Sequence, residues 1–188
     1  MKKGLLVVIS GPSGVGKGTI IKRILDSNKN TSLSVSCTTR EPRPGEQDGV
    51  HYWFIKKDEF ERMIKDDQFL EYMPVFDNFY GTPKDKVEQM RNNGIDVILD
   101  IDVKGAQAVK NKANDAVMIF ILPPTLETLK ERLSKRGTET QEQIEKRFSR
   151  AKDEIEKSSL YDYQVVNDSL DAAVKEVENI LEKEHLKK

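Results

Sequence analysis

One stretch of sequence decides the fold: Gly11-Pro12-Ser13-Gly14-Val15-Gly16-Lys17-Gly18-Thr19. It follows the apolar run 5–9 and leads into a helical sequence, which is the strand–loop–helix context that a P-loop requires. Glycines let the backbone bring its N–H groups close to phosphate oxygens. The helix N-terminus and the ammonium group of Lys17 add positive charge at the same place. We therefore predict that these nine residues bind the phosphates of a nucleoside triphosphate.

The loop departs from the usual motif directly after its lysine. A serine or threonine that reaches Mg²⁺ is expected there, but Gly18 takes the position and the hydroxyl moves to Thr19. A second apolar run ends in Asp100, which resembles the acidic strand end that holds Mg²⁺ in P-loop proteins. We expect a nucleoside triphosphate with Mg²⁺, and Asp100 as the metal ligand, directly or through water. A carboxylate that only caps a loop is the alternative, so the protein ligand of the metal stays open.

Apolar β-rich runs alternate with helical patterns along the whole chain, which is typical of an α/β fold. Five runs predict a parallel sheet that is covered on both faces: residues 5–9, 33–36, 96–101, 117–122 and 163–166. Thr82 and Pro83 predict a helix cap followed by a first-turn proline. Thr140 and Gln143 predict a capping box at the start of another helix.

Two stretches interrupt this alternation. Residues 38–81 hold most of the aromatic side chains and several prolines and glycines, which predicts an inserted mixed β-subdomain with one helix over 58–67. Residues 135–149 predict a small helical lid, polar and poor in apolar anchors. We expect a single domain with a three-layer P-loop NTPase core over about 1–37, 82–134 and 150–188.

Composition excludes several classes of protein. The 188 residues carry 31 Lys and Arg against 32 Asp and Glu, so no broad basic surface attracts nucleic acid. The single Cys37 excludes an intramolecular disulfide framework and a multi-cysteine zinc site. The longest apolar run, residues 116–122, is too short to span a bilayer. We expect a cytoplasmic protein without nucleic-acid or membrane partners, as a monomer or small homo-oligomer.

The inserted stretch contains a candidate site for a second phosphate. Arg40 and Arg43 lie three residues apart in a segment that two prolines stiffen. Guanidinium groups held in this way suit the dianion of a phosphate monoester, which they can bind through paired hydrogen bonds. The phenolic hydroxyls of Tyr52 and Tyr80 can donate to the same phosphate.

These features resemble guanylate kinase, and the resemblance runs nearly from end to end. The matching blocks are the P-loop and residues 36–43, 69–72, 79–82, 98–102, 136–139 and 165–168. The resemblance implies that the following residues bind GMP: Ser36, Arg40, Arg43, Tyr52, Glu71, Tyr80, Thr82 and Asp102. Chemistry supports Glu71, since its carboxylate can accept from both the imino and the amino groups of guanine, whereas adenine presents a lone pair there.

The resemblance also implies which residues act on the transferring group. They are Lys17, Arg40, Arg136 and Arg147, with Arg132 and Arg150 as further candidates, and Asn167 would contact adenine. The implied activity is Mg²⁺-assisted phosphorylation of GMP, and of dGMP, by ATP. Two alternatives to this activity remain. One is a non-catalytic module that binds phosphorylated peptides, and the other is a nucleoside monophosphate kinase with another base preference.

Overall fold

The protein is described here by a computed structural model that covers residues 2–135 and 140–187. In chain order the elements are β1 (Leu6–Ser10), α1 (Lys17–Ser27), β2 (Thr31–Leu33), β3 (Cys37–Thr38), β4 (Trp53–Phe54), α2 (Lys57–Lys65), β5 (Phe69–Val75), β6 (Asn78–Pro83), α3 (Lys84–Asn92), β7 (Asp96–Asp100), α4 (Val103–Lys112), β8 (Val117–Leu122), α5 (Leu126–Ser134), α6 (Gln141–Glu156), a 3₁₀ turn (Lys157–Leu160), β9 (Tyr163–Val166) and α7 (Leu170–Leu186).

Five parallel strands form the central sheet in the order β2-β7-β1-β8-β9. Successive side chains of a strand point to opposite faces, so the fully buried strand β1 supplies both cores. Val7 and Ile9 pack in a cluster with residues of α1 and α7, whereas Leu6 and Val8 pack with residues of α3 and α4. Helices on both faces give the predicted three-layer α/β fold, which is therefore confirmed. No helix within the described residues combines the length and apolar character needed to cross a membrane.

A second, mixed sheet lies between Cys37 and Pro83, in the order β4-β3-β6-β5. Strands β3 and β4 pair in parallel, while the other pairs are antiparallel. Its own small core contains Phe60 from α2 and Phe69 from β5, whose rings stack with centroids 4.4 Å apart. The mixed β insertion expected from the aromatic-rich stretch is thus present, with its helix α2 two residues shorter at the C-terminal end than predicted.

The strand predicted over residues 33–36 is wrong in position. Thr31, Ser32 and Leu33 form β2 and pair with β7. After Leu33 the chain leaves the central sheet and joins the second sheet at Cys37. An apolar side chain normally indicates the middle of a buried strand, but Leu33 is 39% exposed because it stands at the end of an edge strand.

The helix cap predicted at Thr82 is also wrong. Strand β6 continues to Pro83, and Pro83 itself is the N-cap of α3, without a side-chain hydrogen bond at that cap. The hydroxyl of Thr82 is directed instead toward the neighbouring strand, where it donates to Glu71. A tertiary contact has therefore overridden the local capping preference of a threonine before a proline.

The predicted lid is more firmly anchored than its polar composition indicated. Thr140 and Gln143 do form the capping box, and the 16-residue helix α6 follows it without interruption. Ile144 and Phe148 pack against Leu129 and Leu133 of α5. The apolar anchors of 141–149 are these two side chains, which share one helical face. The opening and closing of the lid stays a prediction.

Candidate active site

A pocket of about 660 Å³ surrounds the loop between β1 and α1 and is called the donor pocket here. The loop and the first turn of α1 line it with the following residues: Gly11, Pro12, Ser13, Gly14, Gly16, Lys17, Gly18 and Thr19. Asp102 and three residues of α6 complete the wall: Arg147, Arg150 and Glu154. The loop and helix α6, far apart in sequence, therefore face each other across one cavity of the size that small molecules occupy.

The loop backbone requires glycine where it turns into α1. Gly16 is the N-cap of α1 with φ +93°, and a Cβ there would stand 2.6 Å from the side-chain nitrogen of Asn167. That same amide donates to the carbonyl of Val15 at 2.7 Å, and Asn167 is only 6% exposed. The structure thus places Asn167 behind the loop as a support. Its predicted contact with adenine stays a prediction.

Lys17 is the first residue of α1, and its side chain extends toward the end of β7. Its ammonium nitrogen lies 2.6 Å from an Asp100 carboxylate oxygen and donates to the Ile101 carbonyl at 3.4 Å. Ser10, at the end of β1, donates to the same carbonyl at 2.8 Å. The P-loop lysine and the predicted metal-binding carboxylate therefore meet at the carboxyl ends of two adjacent parallel strands.

Two arginines contact the loop from different helices. Arg147 of α6 donates to the Ser13 hydroxyl. Arg132 of α5 donates to the carbonyls of Val15 and Asn167, at 3.4 and 3.1 Å, and so braces the loop from behind. Arg150 of α6 lines the donor pocket and lies 3.7 Å from an Asp102 carboxylate oxygen. The fourth predicted arginine, Arg136, lies outside the described residues.

A second cavity, of about 410 Å³, opens between the two sheets and is called the acceptor pocket. Five of the residues predicted to bind GMP line it: Ser36, Tyr52, Glu71, Tyr80 and Asp102. Asp100 also lines it, and Asp102 belongs to the walls of both pockets. The two cavities therefore adjoin at the end of β7.

Glu71 is the buried acid of the acceptor pocket. It is 6% exposed, and the Thr82 hydroxyl donates to its Oε1 atom at 2.6 Å. Burial raises the pKa of the Glu71 carboxyl above its ordinary value, and the nearby charge of Asp102 raises that pKa further. A carboxylate that is costly to keep ionised inside a pocket is well suited to a ligand that presents adjacent N–H donors.

Of the residues predicted to bind the phosphate, Tyr52 and Tyr80 line this pocket, whereas Arg40 and Arg43 do not belong to its wall. Arg40 contacts both tyrosines. The Nε atom of Arg40 donates to the Tyr80 hydroxyl at 3.3 Å. The rings of Tyr52 and Tyr80 pack edge to face, with their centroids 5.7 Å apart. The backbone N–H of Arg43 donates to Glu46 at 2.8 Å, and Glu46 also accepts from Arg40. Glu46 is thus a close partner of the group that no sequence pattern had indicated.

Gly105 is a second residue that the sequence did not bring to notice. It lies in the first turn of α4, after the N-cap Asp102, whose carboxylate accepts from its N–H at 2.9 Å. A Cβ at this position would stand 3.3 Å from Oε2 of Glu71. Glycine lets α4 approach Glu71 closely. The available signal was a glycine within a stretch of helix-forming residues.

Comparison with known proteins agrees with this geometry. The family model described as guanylate kinase matches residues 3–184. The chain belongs to the guanylate kinase family. It is 52% identical over 184 residues to a guanylate kinase of Clostridioides difficile, covering 98% of this chain and 90% of that protein. With a guanylate kinase of Carboxydothermus hydrogenoformans it shares 52% identity over 187 residues, or 100% and 92% of the two chains.

A solved structure supports the same family assignment for the fold. The crystal structure of guanylate kinase from Anaplasma phagocytophilum matches with a TM-score of 0.72 and 32% identity. The match covers 98% of this chain and 87% of that chain. The core and the second sheet therefore have the arrangement of a guanylate kinase.

Proposed function

We propose that this guanylate kinase binds ATP in the donor pocket and GMP in the acceptor pocket, and transfers the γ-phosphoryl group between them. The reaction is the ATP-dependent phosphorylation of GMP to GDP. The observation that carries the residue assignments is the shared wall at Asp102, with a P-loop lysine on one side and a buried carboxylate on the other. We assign residues 38–81 to the GMP-binding subdomain and 135–149 to the lid.

Guanine recognition rests on Glu71, Ser36, Thr82 and Asp102. The Glu71 carboxylate accepts from the imino and amino groups of guanine, and the hydroxyl of Ser36 donates to the guanine carbonyl. Thr82 keeps Glu71 in place through its hydrogen bond, and Asp102 offers a further acceptor at the pocket wall. AMP is rejected because its ring nitrogen would leave the buried carboxylate without a donor. Since the base and the phosphate carry these contacts, dGMP is a substrate as well.

The GMP phosphate is held by the side chains of Arg40, Arg43, Tyr52 and Tyr80. Its attacking oxygen is already anionic near neutral pH, so the transfer needs no general base. The protein contributes positioning and charge neutralisation, which supply most of the acceleration in phosphoryl transfer. The ammonium group of Lys17 stays in contact with the phosphoryl group during its transfer. The lid arginines Arg136 and Arg147 close over the phosphates and exclude water.

Mg²⁺ fits the boundary between the two pockets, where Thr19 lines the donor pocket and Asp100 lies beside Lys17, as an ion held mainly by its substrate. Within residues 2–135 and 140–187, no group of three or more His, Cys, Asp or Glu side chains is arranged to hold a metal. Mg²⁺ in kinases commonly binds one or two protein groups together with phosphate oxygens and water. Asp100 and the hydroxyl of Thr19 would be those groups here. Bound Mg²⁺ would neutralise charge on the donor phosphates.

The direct test is turnover with a series of acceptors in the presence of ATP, followed as ADP release. We expect GMP and dGMP to be phosphorylated, and AMP, UMP and dTMP to be turned over at least about 1,000-fold less efficiently. Preference for AMP would contradict the roles of Glu71 and Ser36. A phosphopeptide-binding module would release no ADP above background. A cytoplasmic location, a monomer or small homo-oligomer and the absence of nucleic-acid partners stay predictions from composition.

A further inference from the structure

Glu46 occupies a tight turn that follows the two arginines of the acceptor site. Its N–H donates to the Arg43 carbonyl at 3.0 Å across Pro44 and Gly45, and Gly45 has φ +89°. Proline followed by a glycine with positive φ is the sequence that a type II turn prefers. The Glu46 side chain closes a second ring, because Oε2 accepts from the Arg43 N–H at 2.8 Å. The turn therefore fixes this carboxylate close to the backbone of the loop.

The carboxylate of Glu46 in turn holds the guanidinium group of Arg40. The Nη2 atom of Arg40 lies 2.9 Å from each Glu46 oxygen, and both side chains are largely buried, at 16% and 19% exposure. Nη1 donates to the Glu41 carbonyl at 2.7 Å, and Nε donates to the Tyr80 hydroxyl. The guanidinium also lies over the ring of Tyr52, 5.6 Å from its centroid. Hydrogen bonds and a ring contact therefore hold the guanidinium group of Arg40 in place before any ligand binds.

We propose that Glu46 is a positioning residue for the acceptor phosphate, acting through Arg40 and Tyr80. The proposal rests on the function proposed above, in which those two side chains bind the phosphate of GMP. Tyr80 accepts from Arg40, so its own hydroxyl proton remains to be donated to the phosphate. One Nη1 proton of Arg40 lies outside the contacts described and is available to the same phosphate. Holding both donors ready saves the conformational entropy of ordering them when GMP binds.

The opposite role, competition between Glu46 and the phosphate for Arg40, is less consistent with the geometry. A competitor must leave the guanidinium when the ligand arrives, but Glu46 is tied to Arg43 by the turn as well as to Arg40. The Arg40 hydrogen bond lowers the pKa of the Glu46 carboxyl below its ordinary value, so the pair stays ionised near neutral pH. A charged, doubly anchored carboxylate behind an arginine is the arrangement that orients a binding group.

The test compares Glu46→Gln with the wild type in steady-state kinetics. We expect the KM for GMP to rise about 10-fold while the KM for ATP changes less than about 2-fold, because only the acceptor phosphate loses its positioned donors. Inhibition by guanosine, which has the base but no phosphate, should keep its inhibition constant within about 2-fold. General damage to the subdomain would weaken guanosine and GMP alike. Glu61→Gln, an equal loss of charge on the exposed face of α2, is the matched control and should change none of these values.

A double variant separates this proposal from the proposed function. If Glu46 acts through Arg40, then Glu46→Gln should add no further rise in the KM for GMP once Arg40→Met is present. An unchanged or lowered KM in Glu46→Gln, or an equal loss of guanosine inhibition, would overturn the positioning role. If Arg40→Met alone left GMP kinetics unchanged, the phosphate site itself would be misassigned. If Arg40→Met acted while Glu46→Gln did not, only the role of Glu46 would fail.

Discussion

The donor and acceptor pockets adjoin, but they are built in different ways. The donor pocket takes eight wall residues from one continuous segment, whose glycines shape it and whose lysine supplies its charge. The acceptor pocket collects side chains from Ser36 to Asp102, on two sheets and the loops between them. A backbone-built site is encoded locally, and the positions that least tolerate change are its positive-φ glycines and its lysine. A side-chain-built site depends on tertiary packing, so each of its residues also relies on partners that hold it in place.

The comparison predicts that the largest single loss follows from a change on the donor side. Lys17→Ala should lower kcat by about 1,000-fold, because the transferring group loses its positioned charge. The folded state should survive, since the glycine loop and the supporting contacts of Asn167 remain. Turnover and circular dichroism measure the two effects, with Lys22→Ala, an exposed lysine of the same helix, as control. Turnover within 10-fold of the wild type would refute the placement of Lys17.

On the acceptor side, Glu71→Gln should separate function from stability. Loss of the charged acceptor should reduce kcat/KM for GMP by about 100-fold, while ATP binding is spared. The raised pKa of Glu71 means that the folded protein holds this proton more tightly than the unfolded chain. Its contribution to the free energy of unfolding therefore falls as pH rises from the ordinary carboxyl range through the raised value.

The melting temperature checks this linkage. At a pH above the raised pKa of Glu71 the carboxylate is a buried anion, so the glutamine variant should melt at a higher temperature than the wild type there. Near pH 4 the difference should shrink, because Glu71 is then protonated in the folded state. A variant that is less stable than the wild type at high pH would show that the ionised carboxylate stabilises the ligand-free fold, contrary to this account.

A smaller loss is expected when one phosphate-binding group is removed. Arg40→Met should raise the KM for GMP by about 30-fold and slow turnover, because Tyr80, Arg43 and Tyr52 remain. Binding of ATP, measured by calorimetry with a nonhydrolysable analogue, should be unaffected. Arg62→Met, on the exposed surface of α2, provides the same change outside the pocket. Loss of ATP affinity in Arg40→Met would mean that the two pockets are not built independently.

The smallest effect concerns packing behind the acceptor pocket. Gly105→Ala gains about 0.5–1 kcal/mol of helix propensity in α4, but its Cβ must fit 3.3 Å from Oε2 of Glu71. We expect a melting temperature close to that of the wild type and a KM for GMP about 3-fold higher, since Glu71 is displaced slightly. The comparison variant is Gly18→Ala, where a Cβ meets no atom within 4 Å; its GMP affinity should not change.

The features that could be predicted from the sequence also divide into local patterns and contacts between distant residues. The strand–loop–helix unit and the capping box were predictable because each is a local pattern. The end of β2, the role of Thr82 and the anchoring of α6 were not, because each depends on a partner distant in sequence. The Thr82 hydroxyl donates to Glu71 and does not cap a helix. Ile144 is buried because α5 packs beside it.

The candidate site shows the same limit. Individual residues of the acceptor pocket were identified by resemblance, whereas their partners were not. In the sequence, nothing distinguishes Glu46 from the many acidic residues expected on the surface. Nothing distinguishes Gly105 from any other glycine in a helix. Their importance rests on a hydrogen bond to Arg40 and a close approach to Glu71, neither of which any spacing in the chain encodes.

A crystal structure of the protein with GMP tests the central claim most directly. We predict the guanine edge on Glu71, with its N–H donors directed to the carboxylate, and the phosphate between the side chains of Arg40 and Tyr80. GMP bound with its base away from Glu71, or with its phosphate on the glycine loop, would contradict the assignment of the two pockets.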